Sequence, residues 1–290
     1  METSNTITIT YGDQAEAHYG MKKNGRMAEA GLTIEEIDSA AKKFSDKGGS
    51  VVNYNLKELL DGCEIEAVQA LLPHTQEAKF LVVENGLDTI LSDYDDDETK
   101  MRHQDMYQEQ NSLEHDRHYW DTRRKKKLNK HARGNLCFDH ESSEADFEGE
   151  HVGTIVAFDD VLITNTVRMS LSHYFGRKGE DLKAEGNYYY DTSKCGIGFH
   201  GDAERKITIG ARLGATMAMS YQWFYRNKAI GKNLRISMPS GTLYAMSQKA
   251  AGCDWKKSSI LTLRHSAGSA GYTTIPESKK WGEAETKKWG

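Results

Sequence analysis

Residues 195–225 read CGIGFHGDAERKITIGARLGATMAMSYQWFY. Short strand-like runs follow one another here, punctuated by glycine. The runs continue on both sides: GTIVAFDDVLI (153–163) and NYYYD (187–191) upstream, NLRISMPSGTLYAMS (233–247) and ILTLRHSAG (260–268) downstream. Several short strands separated by turn residues predict a β-sandwich or barrel-like fold. One amphipathic helix interrupts them at TNTVRMSLSHYFGRKG (164–179). The expected class is therefore α+β, with a mainly β core and flanking helices.

The first hundred residues look mixed. Thr33 followed by Glu36 in GLTIEEIDSAAKKF (31–44) is a capping box that opens a helix. LKELL and EIEAVQALL read as further short helices, and AKFLVVENG (78–86) as a strand ended by an Asn-Gly turn. Residues 87–133 are polar and weakly periodic, which fits a helix or two and loops. No Pro/Gly/Ser-rich linker marks a boundary. The expected division is a mixed N-terminal region (1–130) packing on or covering a β core (131–275), then a surface tail (276–290).

The chain has 290 residues, 38% hydrophobic and 28% charged, with three prolines. That composition can bury a core. No run of eighteen apolar residues exists, so no membrane span is expected. The N-terminal METSNTITITYGDQ lacks the basic start and apolar stretch of a signal peptide. Four cysteines (Cys63, Cys137, Cys195, Cys253) lie far apart without a CxxC spacing. They read as free thiols of an intracellular, reducing compartment, and they make a cysteine zinc site an unfavourable reading. A net charge of −5 argues against a general nucleic-acid coating protein. The charge is uneven, however. DYDDDE (93–98) is acidic, whereas RRKKKLNKHAR (123–133) is strongly basic and could face a phosphate backbone or form a solvated surface.

The chemistry-bearing residues sit in the opening stretch. His200-Gly201-Asp202 places imidazole and carboxylate on one side of a strand end. His265 follows in another strand-like segment. Two histidines and one carboxylate are the ligand set of a facial triad, which leaves metal positions open for a co-substrate and dioxygen. Gly196, Gly198 and Gly201 also spell GxGxxG, but a dinucleotide site needs a helix to open there, and the pattern continues as a strand.

NYYYD, CGIGFHGDAERK, the strand pair ending QWFY, SGTLYAMS and LRHSAG, in this order, resemble the AlkB-like branch of the 2-oxoglutarate/Fe(II) oxygenases, in particular its large-virus and algal members. The likeness covers roughly residues 130–272 and touches AKFLVVENG. It implies a double-stranded β-helix, or jelly roll, with the metal in its mouth. It implies Fe(II), 2-oxoglutarate and O2 as cofactors, and His200, Asp202 and His265 as metal ligands. Asn187 and Tyr189 match the family's Asn-x-Tyr that contacts 2-oxoglutarate. Thr242 stands where the family has an aspartate.

One departure concerns the co-substrate. Family members carry arginines after the distal histidine, one of which holds the 2-oxoglutarate tail; no arginine follows His265 here. A carboxylate in a partly dry pocket needs a cationic partner. The candidates are Arg212 and Arg264, with Lys279 a more remote third. Strand alternation puts Arg212 on the face of Thr208 and Gly210, opposite Ile207, Ile209 and Ala211, which favours Arg212. In the family, the region before the core builds the substrate lid, which nominates Arg133 and Asn135; Tyr190 is a further pocket candidate. Three successive tyrosines at 188–190 must split between faces. Trp223 and Trp255 could stack on a flat substrate or pack in the core, and His131 reads as exposed. The expected activity is hydroxylation or oxidative demethylation. The substrate is a nucleobase or nucleic acid or, alternatively, a small metabolite, amino acid or protein side chain.

Overall fold

The computed structural model describes residues 4–96 and 98–282. Its strands, in chain order, begin with β1 (Thr6–Gly12), β2 (Gln14–Glu16), β3 (Lys23–Gly25), β4 (Val51–Asn55), β5 (Lys79–Val83), β6 (His118–Asp121), β7 (Lys126–Asn129), β8 (Gly134–Asp139) and β9 (Ile155–Ala157). They continue with β10 (Lys183–Tyr189), β11 (Gly196–His200), β12 (Thr208–Gly214), β13 (Met217–Tyr225), β14 (Lys228–Met238), β15 (Leu243–Met246) and β16 (Thr262–Gly268). The longer helices are α1 (Ile34–Asp46), α2 (Glu66–Leu71), α3 (Gly86–Leu91), α4 (His103–Asn111) and α5 (Leu162–Phe175), with short turns α6 (Gln248–Ala251) and α7 (Ala270–Thr273) near the end. No described helix is long and apolar enough to cross a membrane.

Two sheets form the body. The larger runs β4-β5-β15-β12-β1-β10-β8-β9 and the smaller β11-β16-β13-β14. All pairings are antiparallel except β8 with β9. From β10 onward the chain alternates between the sheets: β10, β12 and β15 join the larger, and β11, β13, β14 and β16 the smaller. The fold is thus a β-rich α+β arrangement, as the strand pattern predicts.

The inner faces meet in an apolar cluster. Phe80, Val82, Tyr244 and Met246 of the larger sheet pack on Tyr221, Trp223 and Leu263 of the smaller. Trp223 is fully buried and donates its indole N–H to the Leu56 carbonyl at 2.7 Å, so it is a core residue and not a stacking surface. The outer face of the larger sheet is covered by helices: Ile7, Ile9, Leu136, Phe138 and Leu213 join Ile37 and Phe44 of α1 and Val167 and Leu171 of α5. α1 begins at the expected capping box, with the Thr33 hydroxyl accepting from the Glu36 N–H (3.2 Å) and the Glu36 carboxylate from the Thr33 N–H (2.8 Å).

Three expectations are corrected. The line at residue 130 is crossed by the larger sheet, because β1, β4 and β5 belong to it. The N-terminal segment is not merely a cover. β1 lies between β10 and β12, pairing with both over its length, so the N-terminus closes the middle of the sheet. The tail beyond 276 is not all surface: Trp281 packs against the inner cluster and stacks on Tyr225 at 5.5 Å, while the rest of that segment, from 283, lies outside the described residues. The polar stretch 87–133 holds α3, α4 and a hairpin, β6–β7, whose turn carries Arg123, Arg124 and Lys125 at the surface.

Candidate functional site

His200 ends β11 and His265 lies directly across from it on β16. The two rings sit 4.5 Å apart, centroid to centroid. Asp202 follows two residues after His200, just beyond the strand. The Nε2 atoms of His265 and His200 lie 3.4 and 3.8 Å from Asp202 Oδ1. One ligand atom from each of the three residues falls within 4.8 Å of the others, a spacing that one metal ion can bridge.

The donor atoms are in suitable states. His200 Nδ1 lies 2.8 Å from the Gly198 carbonyl. That contact fixes the proton on Nδ1 and leaves Nε2 its lone pair. Burial, reinforced by His265 against the pull of Asp202, lowers the His200 pKa to about 4, so the ring is neutral at physiological pH. Burial opposes ionisation of Asp202, but His265, Arg205 and His200 outweigh it and hold this carboxyl well below the usual range. The second oxygen of Asp202 accepts from the Thr208 hydroxyl at 2.8 Å. Two imidazoles and one anchored anion make a donor set that fits a divalent first-row metal.

The three residues open onto a cavity of about 520 Å³ between the sheets. A polar row crosses its floor in register, Asn187 on β10, Thr8 on β1 and Arg212 on β12, and continues behind the wall to Asn135 on β8. Asn187 Oδ1 accepts from both Arg133 Nε and Asn135 Nδ2 at 2.6 Å, and its amide donates to Glu185 at 2.8 Å. Arg212 is 1% exposed and donates to the Thr8 hydroxyl at 2.6 Å; it forms no ion pair among the described residues, and its Nε has no partner. Glu185 and Glu204 both pair with Arg205, the latter at 3.0 Å. Arg205 is what keeps Glu185 ionised despite its burial.

Of the sequence-nominated residues, His200, Asp202, His265, Asn187, Tyr189, Arg212 and Arg133 line this cavity together, and Trp255 joins its rim. Asn135 stands behind the wall, fully buried, and reaches the cavity only through Asn187. Two nominations are corrected. Arg264 points away from its neighbour His265, as strand alternation requires, and lies over Phe224 (4.2 Å) and Trp255 (5.2 Å). Tyr190 is 57% exposed, outside the cavity, with its hydroxyl on the His131 carbonyl (3.0 Å). Tyr188 turns to the helix side, where it bonds Gln110 at 2.7 Å, so the three tyrosines do split. His131 and Lys279 are exposed.

Against known proteins, no family model matches the sequence. The chain is 36% identical over 270 residues to a protein of Acanthamoeba polyphaga mimivirus described as "Uncharacterized protein R156", a match spanning 92% of this chain and 97% of the relative. The chain belongs to the family of that viral protein.

Sequence reasoning missed the N-terminal contributions: Thr8 and Thr10 of β1, Glu16 of β2, and His18 and Tyr19 after it all line the cavity. A signal was present. TITITY (6–11) alternates strictly, with Ile7, Ile9 and Tyr11 buried on the helix side and the threonines on the cavity side.

Proposed function

We propose that this protein is an Fe(II)- and 2-oxoglutarate-dependent dioxygenase on a double-stranded β-helix, or jelly roll, in which the N-terminal strand β1 closes the larger sheet. The observation that carries the reading is one cavity holding both a two-histidine, one-aspartate cluster and a deeply buried arginine without a counter-ion. A buried guanidinium without an acid partner is costly unless a ligand supplies the anion. A dicarboxylate co-substrate bound beside a metal that His200, Asp202 and His265 would hold would supply one. Fe(II) with 2-oxoglutarate and dioxygen provides oxidation of a substrate C–H bond, with the co-substrate becoming succinate and CO2.

The protein residues do the rest. His200, His265 and Asp202 present three ligand atoms and leave the cavity side open. Arg212, held by Thr8, would pair with the distal carboxylate of the co-substrate. Asn187 and Tyr189 line the space between. Met219, Met246 and Ala267 keep that end apolar and dry.

For the substrate, we favour a nucleobase or nucleic acid. The supporting feature is the basic hairpin at the mouth: Tyr119 of β6 stacks on His18 (3.7 Å), and Lys130, just after β7, donates to the Ala17 carbonyl (3.2 Å). Cations on that hairpin stand where a phosphate backbone would run, and a base would enter unstacked. The test is anaerobic titration with Fe(II) and 2-oxoglutarate, watching for a weak visible charge-transfer band. The band is expected in the wild type and absent in His200→Ala. Aerobic succinate release that does not depend on iron would defeat the proposal.

A further inference from the structure

Glu16, the last residue of β2, is 7% exposed and lines the same cavity as the metal ligands. One of its oxygens accepts from the Gly20 N–H at 2.8 Å. It forms no ion pair among the described residues. None of the described cations near it pairs with it: Lys23 stands opposite on β3 without forming an ion pair to it, Arg205 is shared by Glu185 and Glu204, Arg133 is on Asn187, and Arg212 bonds the Thr8 hydroxyl. Burial, with Glu204 adding to it and the Gly20 N–H and Lys23 opposing it, pushes the Glu16 carboxyl up to about 7. An anion buried without a cation is unfavourable, and a ligand that brings the missing charge relieves the cost.

The surroundings favour a flat cation. Trp255, Tyr19 and the His18–Tyr119 stack flank the same end of the cavity. These rings already attract a cation: the Lys256 ammonium sits over Tyr19 (4.8 Å) and Trp255 (5.5 Å) at the rim. Aromatic faces and a carboxylate together are a recognised way to hold an ammonium, amidinium or guanidinium.

We propose that Glu16 is a specificity-determining residue of this cavity and selects a substrate group bearing a cationic nitrogen. The assignment rests on the reading of the cavity as the substrate cavity, but its test needs no iron. Benzamidine, a flat amidinium, is titrated calorimetrically into the wild type and Glu16→Gln at pH 8, with uncharged benzamide as the control. Glutamine can still accept the Gly20 N–H, and a matched thermal unfolding curve checks that the variant is folded. Benzamidine is expected to bind the wild type at least about tenfold more tightly than the variant, and benzamide to bind both weakly. Equal benzamidine affinity in the two proteins, no benzamidine binding to the wild type, or benzamide binding as tightly as benzamidine overturns the assignment. A missing Fe(II)/2-oxoglutarate band, by contrast, defeats the oxygenase reading and leaves a positive benzamidine result in force.

Discussion

Arg212 and Thr8 face each other across two strands that are 204 residues apart in sequence, and the arginine depends on that hydroxyl. Among the described residues, the one other hydrogen bond of its Nη1 goes to the Met217 sulfur at 3.4 Å. Thr8→Val keeps the shape and removes the acceptor. Apparent affinity for 2-oxoglutarate is expected to fall about tenfold, with metal affinity unchanged and Thr8→Ser recovering most of the loss; an affinity within twofold of wild type would show that Thr8 does not position the arginine. Glu16 makes a second prediction at this scale. Its folded pKa of about 7 lies above the ordinary 4.5, so folding favours the protonated form. That contribution is present below about pH 4.5 and is lost as pH rises through 7. Glu16→Gln cannot ionise. Its unfolding temperature, relative to wild type, is therefore expected to increase from pH 5 to pH 8, by about 2–4 °C for each kcal/mol of relieved desolvation. A difference that does not change with pH would contradict it.

At the scale of elements, β1 shows why register matters. A slip of one residue would turn Ile7 and Ile9 into the polar cavity and the threonines into the helix-covered core. The hairpin β6–β7 is a different case. Its turn and outer residues are exposed, so their charges act on a ligand more than on stability. Replacing Arg123, Arg124, Lys126 and Lys127 with alanine is expected to change stability by less than about 0.5 kcal/mol each. The same change should weaken binding to a single-stranded oligonucleotide and flatten its salt dependence by about 0.7 in log–log slope for each phosphate that is no longer neutralised. An unchanged slope would remove the hairpin from any nucleic-acid path.

For the whole molecule, the larger sheet joins residue 6 to residue 246 in one hydrogen-bonded surface. A fragment of residues 131–290 lacks β1, β4 and β5. It leaves β10 and β12 without the partner between them and uncovers one side of the inner cluster. No cooperative unfolding transition is expected by circular dichroism; a sharp one would mean that the core from 131 folds alone. After β16 the chain turns into α7 instead of returning to the larger sheet. The cation of the cavity floor is then carried by β12 and steadied by β1.

Local pattern was enough for much of this. Thr33 and Glu36 announced α1, the glycine-punctuated runs announced the β core, and alternation favoured Arg212 for the cavity, whereas Arg264, nominated beside it, was turned away only by the structure. The His-x-Asp and the distant histidine were legible as a ligand set because their residue types and strand context are local facts. Pairing between distant strands is not a local fact. Nothing near Thr8 or Glu16 in sequence says that they border His200, and nothing near residue 130 says that the sheet continues across it. Those placements come from which strands hydrogen-bond side by side, a choice made by burial of the whole set of apolar faces at once. Residue order alone determined the elements and the metal-ligand candidates; the tertiary structure decided their neighbours, because hydrogen bonding across a sheet joins residues by register and not by sequence distance.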